Sequence, residues 1–182
     1  KDSAAYKAFY YGNGSISSEG YLVEGKPNGY WYTYYQNGLI KSEGNRKNFE
    51  LDSLWKFYDS EGNLKEEIAY KKGKKEGFSN TYRNCFLERS DFYKNNVIDS
   101  ISIEYYLDSS QLIKTLTPYK LGRKEGVSYE YGEDGRIISI VEYKKGFISA
   151  KEKINRYNSA KLKSGLWKEF YKNLKVKEEK RY

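Results

Sequence analysis

From Gly29 to Glu43 the chain reads Gly-Tyr-Trp-Tyr-Thr-Tyr-Tyr-Gln-Asn-Gly-Leu-Ile-Lys-Ser-Glu, an aromatic run broken at Asn37-Gly38 and followed by a second short run. Two such runs around Asn-Gly predict a β-hairpin closed by a two-residue type I′ turn. That turn needs positive φ at both central residues, which Asn and Gly adopt most cheaply. The pattern recurs. Aromatic strand ends lie at Tyr10-Tyr11, Tyr34-Tyr35, Phe57-Tyr58, Tyr82-Arg83, Tyr105-Tyr106, Tyr131-Gly132 and Phe170-Tyr171, mostly 23 to 26 residues apart. A fixed period in this range signals a repeat architecture, here an all-β array of about seven antiparallel β-hairpins.

Each period holds two kinds of turn. The first follows the aromatic pair. Asn13-Gly14, Asn37-Gly38, Glu61-Gly62 and Asp134-Gly135 are intact copies, whereas Asn84-Cys85, Ser109-Ser110 and Lys172-Asn173 are degraded ones. The second is a five-residue segment with Gly at both ends in its best copies, at 25–29, 73–77 and 122–126. Gly supplies left-handed backbone there, and the central polar residues remain in water.

Aligning copies on Gly29, Asp52, Gly77, Ser100, Gly126 and Gly165 shows which strand face is apolar. The fifth position is always aromatic: Tyr34, Phe57, Tyr82, Tyr105, Tyr131 and Phe170. Side chains alternate along a strand, so Tyr30, Tyr32 and Tyr34 belong to one face, expected to be packed. The other face begins Trp31, Leu54, Ser79, Ser102, Ser128 and Trp167, and its polar middle copies predict a wet surface. Residues 147–164 break the period and are expected to form an irregular insertion within a single repeat domain over 1–182.

Composition narrows the chemistry. The chain has 21 Tyr among 182 residues, a mean hydropathy of −0.93 and a formal charge of +8. Its lysines are spread through every repeat beside acidic residues, as on a solvated face, so nucleic acid and membrane are disfavoured as partners. Cys85 stands alone and His is absent, which removes an intramolecular disulfide, a thiolate cluster and the commonest general base. No metal site and no cofactor is expected. The apolar runs are too short for a membrane-spanning helix. The chain lacks Met and begins Lys-Asp-Ser; a removed export signal or a truncation would each account for this. The first implies the cell envelope or periplasm, the second the cytoplasm.

Catalysis is not expected, and no catalytic residue is assigned. An enzyme needs unlike groups converging at one place, yet Glu76 and Glu125, or Glu43 and Glu67, are like groups at recurring positions. The segment Gly73-Lys-Lys-Glu-Gly77 lacks the strand-to-helix setting of a phosphate loop.

In register, the Gly-Lys-x-x-Gly turn, the aromatic strand with Trp and paired Tyr, Asn-Gly, and the strand containing Glu resemble the MORN repeat in its second variant. The chain is similar to proteins described as YwqK-family antitoxins. The resemblance covers roughly residues 8–182, with its best copies at 25–47, 54–77 and 122–146. It implies an elongated, twisted antiparallel sheet of successive hairpins that binds another protein, such as a toxin; some MORN proteins are linked to membranes or acidic lipids.

Binding residues are therefore sought among the rings of the wetter face: Trp31, Tyr35, Tyr58, Tyr106, Trp167 and Tyr171. They could contact a protein segment, sugar rings or bases. Alternatively they cover the next hairpin, the reading favoured for Trp31 and Trp167. Open sheet ends could also pair with a partner strand or form a homodimer. The leading expectation is a non-enzymatic protein-interaction scaffold, with the antitoxin of a toxin–antitoxin pair as one form of it. The alternatives are an exported, envelope-anchored module for glycan or a surface partner, and recognition of acidic lipid or nucleic acid through basic charge.

Overall fold

The computed structural model describes residues 4–182, so Lys1–Ser3 of the domain expected over 1–182 lie outside the described residues. The fold is all-β, and among the described residues every regular element is a strand. The chain divides into two compact units, 1–98 and 99–182.

In the first unit eight strands follow one another: β1 (Ala5–Tyr10), β2 (Ile16–Val23), β3 (Lys26–Tyr34), β4 (Ile40–Lys47), β5 (Glu50–Tyr58), β6 (Leu64–Lys71), β7 (Lys74–Arg83) and β8 (Phe86–Lys94). Each pairs antiparallel with its neighbours in sequence. The hairpins expected from the repeat are all present. Their turn chemistry is the reverse of the expectation.

At Asn37-Gly38 only Gly38 has positive φ (83°). The Tyr35 amide donates to the Leu39 carbonyl (2.8 Å), and the Gly38 amide donates to the Tyr35 carbonyl (2.9 Å). The turn is therefore one residue longer than a type I′ hairpin, with Gly38 as its left-handed closing residue and a strand register shift between Thr33 and Tyr34. The same two amide bonds recur at Tyr11, Asp59, Gly132 and Tyr171. The two-residue turns with both φ values positive are instead the second kind: Glu24-Gly25, Asn48-Phe49, Lys72-Gly73, Asn95-Asn96, Leu121-Gly122 and Lys145-Gly146. Asn84-Cys85 also takes this form (50° and 65°), so it is a different turn rather than a degraded copy.

The buried face is also reversed. A row of directly paired residues runs across the first unit: Gly20, Trp31, Gly44, Trp55, Ile68, Ser79 and Asp91. All of them are buried, with Trp31 at 5% and Trp55 at 2% exposure. The Trp rings fill the space a side chain on the facing glycine would take. A Cβ on Gly20 would lie 2.1 Å from Trp31 Cε3, and one on Gly44 would lie 2.4 Å from Trp55 Cδ2. In the next copy the bulk changes sides, and Ile68 stands opposite Ser79. A Trp–Gly pair and an Ile–Ser pair thus fill the same slot in successive copies, and the dense packing is preserved.

The second unit starts within β9 (Val97–Tyr105) and continues with β10 (Ile113–Lys120), β11 (Arg123–Lys124), β12 (Gly126–Tyr131), β13 (Ile137–Lys144) and β14 (Phe147–Lys153). Its buried row is Ser102, Thr117, Ser128 and Val141, with the Thr117 and Ser128 hydroxyls 2.9 Å apart. Three short pieces follow: β15 (Arg156–Tyr157), β16 (Lys163–Ser164) and β17 (Leu166–Phe170). The last strand is β18 (Val176–Arg181).

The stretch 147–164, expected to be irregular, is ordered. β14 pairs along β13, and β15 and β16 form a hairpin. Its turn repeats the common bonds, Asn158 amide to Leu162 carbonyl and Lys161 amide to Asn158 carbonyl. Lys161 replaces the glycine at positive φ (59°), and for that reason the turn carries no Asn-Gly signal in the sequence. Buried Asn155 ties these pieces to β13. Its Nδ2 donates to the carbonyls of Ile137 and Lys168 (2.9 Å each), while its Oδ1 accepts from the Lys168 amide (2.7 Å).

Candidate functional site

The six rings singled out in the sequence do not form one available surface. Trp31 is buried against Gly20 and Gly44, which rules out the exposed role. Tyr35 and Tyr106 are half-buried and lock one copy to the next, with hydroxyls donating to the carbonyls of Tyr58 (2.8 Å) and Tyr131 (2.7 Å). Tyr11 does the same to the Tyr34 carbonyl (2.6 Å). Tyr58 lies on the other face, bonded to Glu43. Trp167 is half-buried, donates Nε1–H to the Arg156 carbonyl and carries Lys163 Nζ 4.4 Å from its ring centre. Only Tyr171 is predominantly open, at 55%.

In the first unit the face expected to be packed is the open one, and it has a regular construction. Tyr34, Tyr58 and Tyr82 donate their hydroxyls to the carboxylates of Glu19 (2.6 Å), Glu43 (2.6 Å) and Glu67 (2.8 Å), each from one aromatic strand back to the strand before it. Each Glu sits directly opposite the residue two before its Tyr: Glu19 faces Tyr32, Glu43 faces Lys56, and Glu67 faces Asn80. Tyr30 adds a second hydroxyl to Glu43 (3.2 Å). Burial, followed by these carboxylate bonds, holds the Tyr34 and Tyr58 phenols well above the ordinary tyrosine range and pushes Tyr82 up to about 12.

Beside this ladder runs a line of exposed apolar side chains. Tyr6, Tyr30, Leu54 and Phe78 occupy the same place in β1, β3, β5 and β7, at 52, 46, 48 and 47% exposure. They stand two strand spacings apart, roughly 9–10 Å. Tyr30 and Tyr32 bring their rings within 5.1 Å, which places the line and the ladder on one face.

Comparison with known proteins accounts for this regularity. A MORN repeat variant model matches residues 27–48, 51–72 and 124–145. These three segments are MORN repeats. No curated protein matches the chain. The matched segments begin two residues before Gly29, Ser53 and Gly126, all at positive φ. The equivalent of Gly29 in the second copy is therefore Ser53 (φ 61°), not the Asp52 used in the sequence alignment. One residue of slip flips every side chain of a strand to the other face. With Ser53 as anchor, Trp55 aligns with Trp31 and Leu54 with Tyr30, and the fifth position becomes Tyr in all five copies from Tyr34 to Tyr131.

The ladder was therefore present in the sequence as a Glu fifteen residues before a Tyr in three successive copies, Glu19–Tyr34, Glu43–Tyr58 and Glu67–Tyr82. The mis-set second copy hid it. Among the described residues no group of three or more His, Cys, Asp or Glu side chains is placed to hold a metal ion.

The ladder makes stability depend on alkaline pH. An unfolded tyrosine loses its proton near 10, whereas Tyr82 in the fold holds it to about 12, so the folded state binds more protons between those values. This contribution is complete below pH 10 and is lost as pH rises toward 12. Urea denaturation midpoints measured from pH 8 to 12 are expected to fall across that window, and less steeply in Tyr82→Phe. Equal slopes would show that Tyr82 is not part of the effect.

Proposed function

We propose that this chain is a non-enzymatic protein-interaction scaffold whose contact surface is the ladder face of the first unit. The observation that carries this is the line Tyr6, Tyr30, Leu54 and Phe78, four apolar side chains left about half exposed at one place in successive aromatic strands. Exposed apolar surface of this regularity suits an interaction site. Its spacing fits a polypeptide that presents apolar side chains roughly every 9–10 Å. The repeat carboxylates beside it are engaged by tyrosine hydroxyls, an arrangement of like groups at like places that favours binding over catalysis.

Affinity capture from the source cells tests this with wild type beside the Leu54→Ser/Phe78→Ser variant, both checked for native circular dichroism. The expected result is a protein held by wild type and lost, by about tenfold or more, by the variant, since interface anchors of this kind each contribute a kcal/mol or more. A partner retained equally by both overturns the face; no retained protein at moderate salt overturns the scaffold. A toxin held by its antitoxin is one partner of this class, and rescue of growth on co-expression of the captured protein with this chain would identify it.

A further inference from the structure

The apolar line of the first unit is accompanied by a row of cations. Asn45, Ala69 and Phe92 stand directly opposite Tyr30, Leu54 and Phe78. Two residues further along the same strands, and therefore on the same face, come Lys47, Lys71 and Lys94, all exposed. The row recurs on every second strand, roughly 9–10 Å apart, in step with the apolar line. Its charge is not neutralised within the fold. Among the described residues the ion pairs of the first unit join Lys56 to Glu67, Arg83 to Glu88 and Arg89 to Asp91. Lys47 faces Glu50 without closing an ion pair, and Lys71 stands directly opposite Lys74. Like charges so placed cost stability. Lys71, Lys72 and Lys74 line a cleft of about 290 Å³ together with Glu76 and Asn95. The carboxylate of that cleft is already engaged, because Glu76 accepts from the Asn95 amide (2.8 Å). Across the apolar line, the carboxylates of Glu19, Glu43 and Glu67 are held by tyrosine hydroxyls.

We propose that the partner of this face is an extended acidic polypeptide segment that crosses the strands. It sets an apolar side chain at every third residue on the line Tyr30, Leu54 and Phe78, and a carboxylate beside each on the row Lys47, Lys71 and Lys94. This rests on the scaffold reading and names the chemistry of its partner. A chain in the polyproline II form has three residues per turn and advances about 3.1 Å per residue, so side chains three apart share one side at about 9.3 Å. That interval matches both rows. A β-strand, whose like-facing side chains recur at about 6.7 Å, falls out of step with them. The three sides of the polyproline II segment meet the apolar line, the lysine row and the solvent. Burial on the line supplies affinity, and the lysines select an acidic partner over a basic one.

The probe is a capped peptide of four Leu-Glu-Pro repeats. Titrated into the whole chain and followed by amide NMR, it is expected to saturate with shifts concentrated in β3 to β8, and to bind severalfold more weakly at about 300 mM salt than at about 50 mM. Glu→Gln throughout the peptide and Lys71→Gln/Lys94→Gln in the protein should each weaken binding about three- to tenfold. Combined, they should cost little more than either alone, because they remove the same ion pairs. Leu54→Ser/Phe78→Ser should weaken it about tenfold or more. No saturable binding, or binding indifferent to both the glutamates and the two lysines, overturns the proposal. So does tighter binding to vesicles of phosphatidylcholine and phosphatidylserine that is lost in Lys71→Gln/Lys94→Gln, which would assign the row to a lipid surface. A dimer in sedimentation that is lost in Leu54→Ser/Phe78→Ser would assign the face to a second copy and overturn it as well. A captured partner that is lost on Leu54→Ser/Phe78→Ser but held equally by Lys71→Gln/Lys94→Gln would leave the scaffold reading standing and sink this one.

Discussion

Replacing Trp55 with alanine is expected to lower the stability of the first unit by ~3–5 kcal/mol. The ring is 2% exposed, its Nε1–H donates to the Asn45 carbonyl at 2.8 Å, and the Arg46 guanidinium lies 5.3 Å from its centre. A loss of that size is a large part of the ~5–15 kcal/mol that stabilises an ordinary domain. Gly44→Ala should cost ~1–3 kcal/mol by overpacking, because its new methyl would meet the Trp55 ring at 2.4–2.6 Å. The two changes must not add. In the Trp55→Ala background the alanine at 44 has room, so its cost there should fall toward the small strand-propensity difference. Urea denaturation of the four proteins, followed by backbone circular dichroism, reads the coupling directly. An equal cost for Gly44→Ala in both backgrounds would refute the explanation that this glycine exists to admit the tryptophan.

Asn155→Ala should have the next largest effect, ~2–4 kcal/mol in the second unit, because it leaves the Ile137 and Lys168 carbonyls and the Lys168 amide without a partner. Asn155 also has a φ of 53°, which Asn tolerates better than Ala, so part of the cost is backbone strain. Asn155→Gly separates the two, since it relieves the strain and still loses the bonds. Both variants are expected to lose hydrogen-exchange protection at the Lys168 amide, with Ala the less stable. Retained protection at Lys168 in the Gly variant would mean that the carboxamide is not what holds β17 to its neighbours.

The parts of the fold that were legible in the sequence are those specified by neighbours along the chain. The recurrence of aromatic pairs, the glycine-marked turns and strand alternation predicted successive antiparallel hairpins, and each depends on residues only a few positions apart. The errors arose where a signal was shared or replaced. Asn37-Gly38 can close either of two turn types, and the longer one forms because the strand shifts register at Tyr34. Ser53 takes a backbone conformation that glycine takes in the copies on either side, so the alignment settled on Asp52 and reversed one strand. Lys161 hid a regular turn in the same way.

The candidate surface suffered most from that single slip. Tyr58 joined the wrong column, and Leu54 was taken for the counterpart of Trp31, a ring named among the binding candidates although cover of the next hairpin was its favoured reading. Its burial depends on Gly20 and Gly44, eleven residues before it and thirteen after it. No rule of local hydrophobicity identifies those two glycines as the walls of a tryptophan site.

By itself the sequence determined the class of the fold and its period, because turn chemistry and side-chain alternation act over a few residues. Only the tertiary structure decided which face is closed. Ser79 and Ser128 are buried because Ile68 and Val141 stand beside them, whereas Tyr30 and Phe78 are open although they are the larger and more apolar residues. In a sheet, burial is set by the neighbours on adjacent strands. Those contacts form across the pairing direction, where the order of residues along one strand carries no information about them.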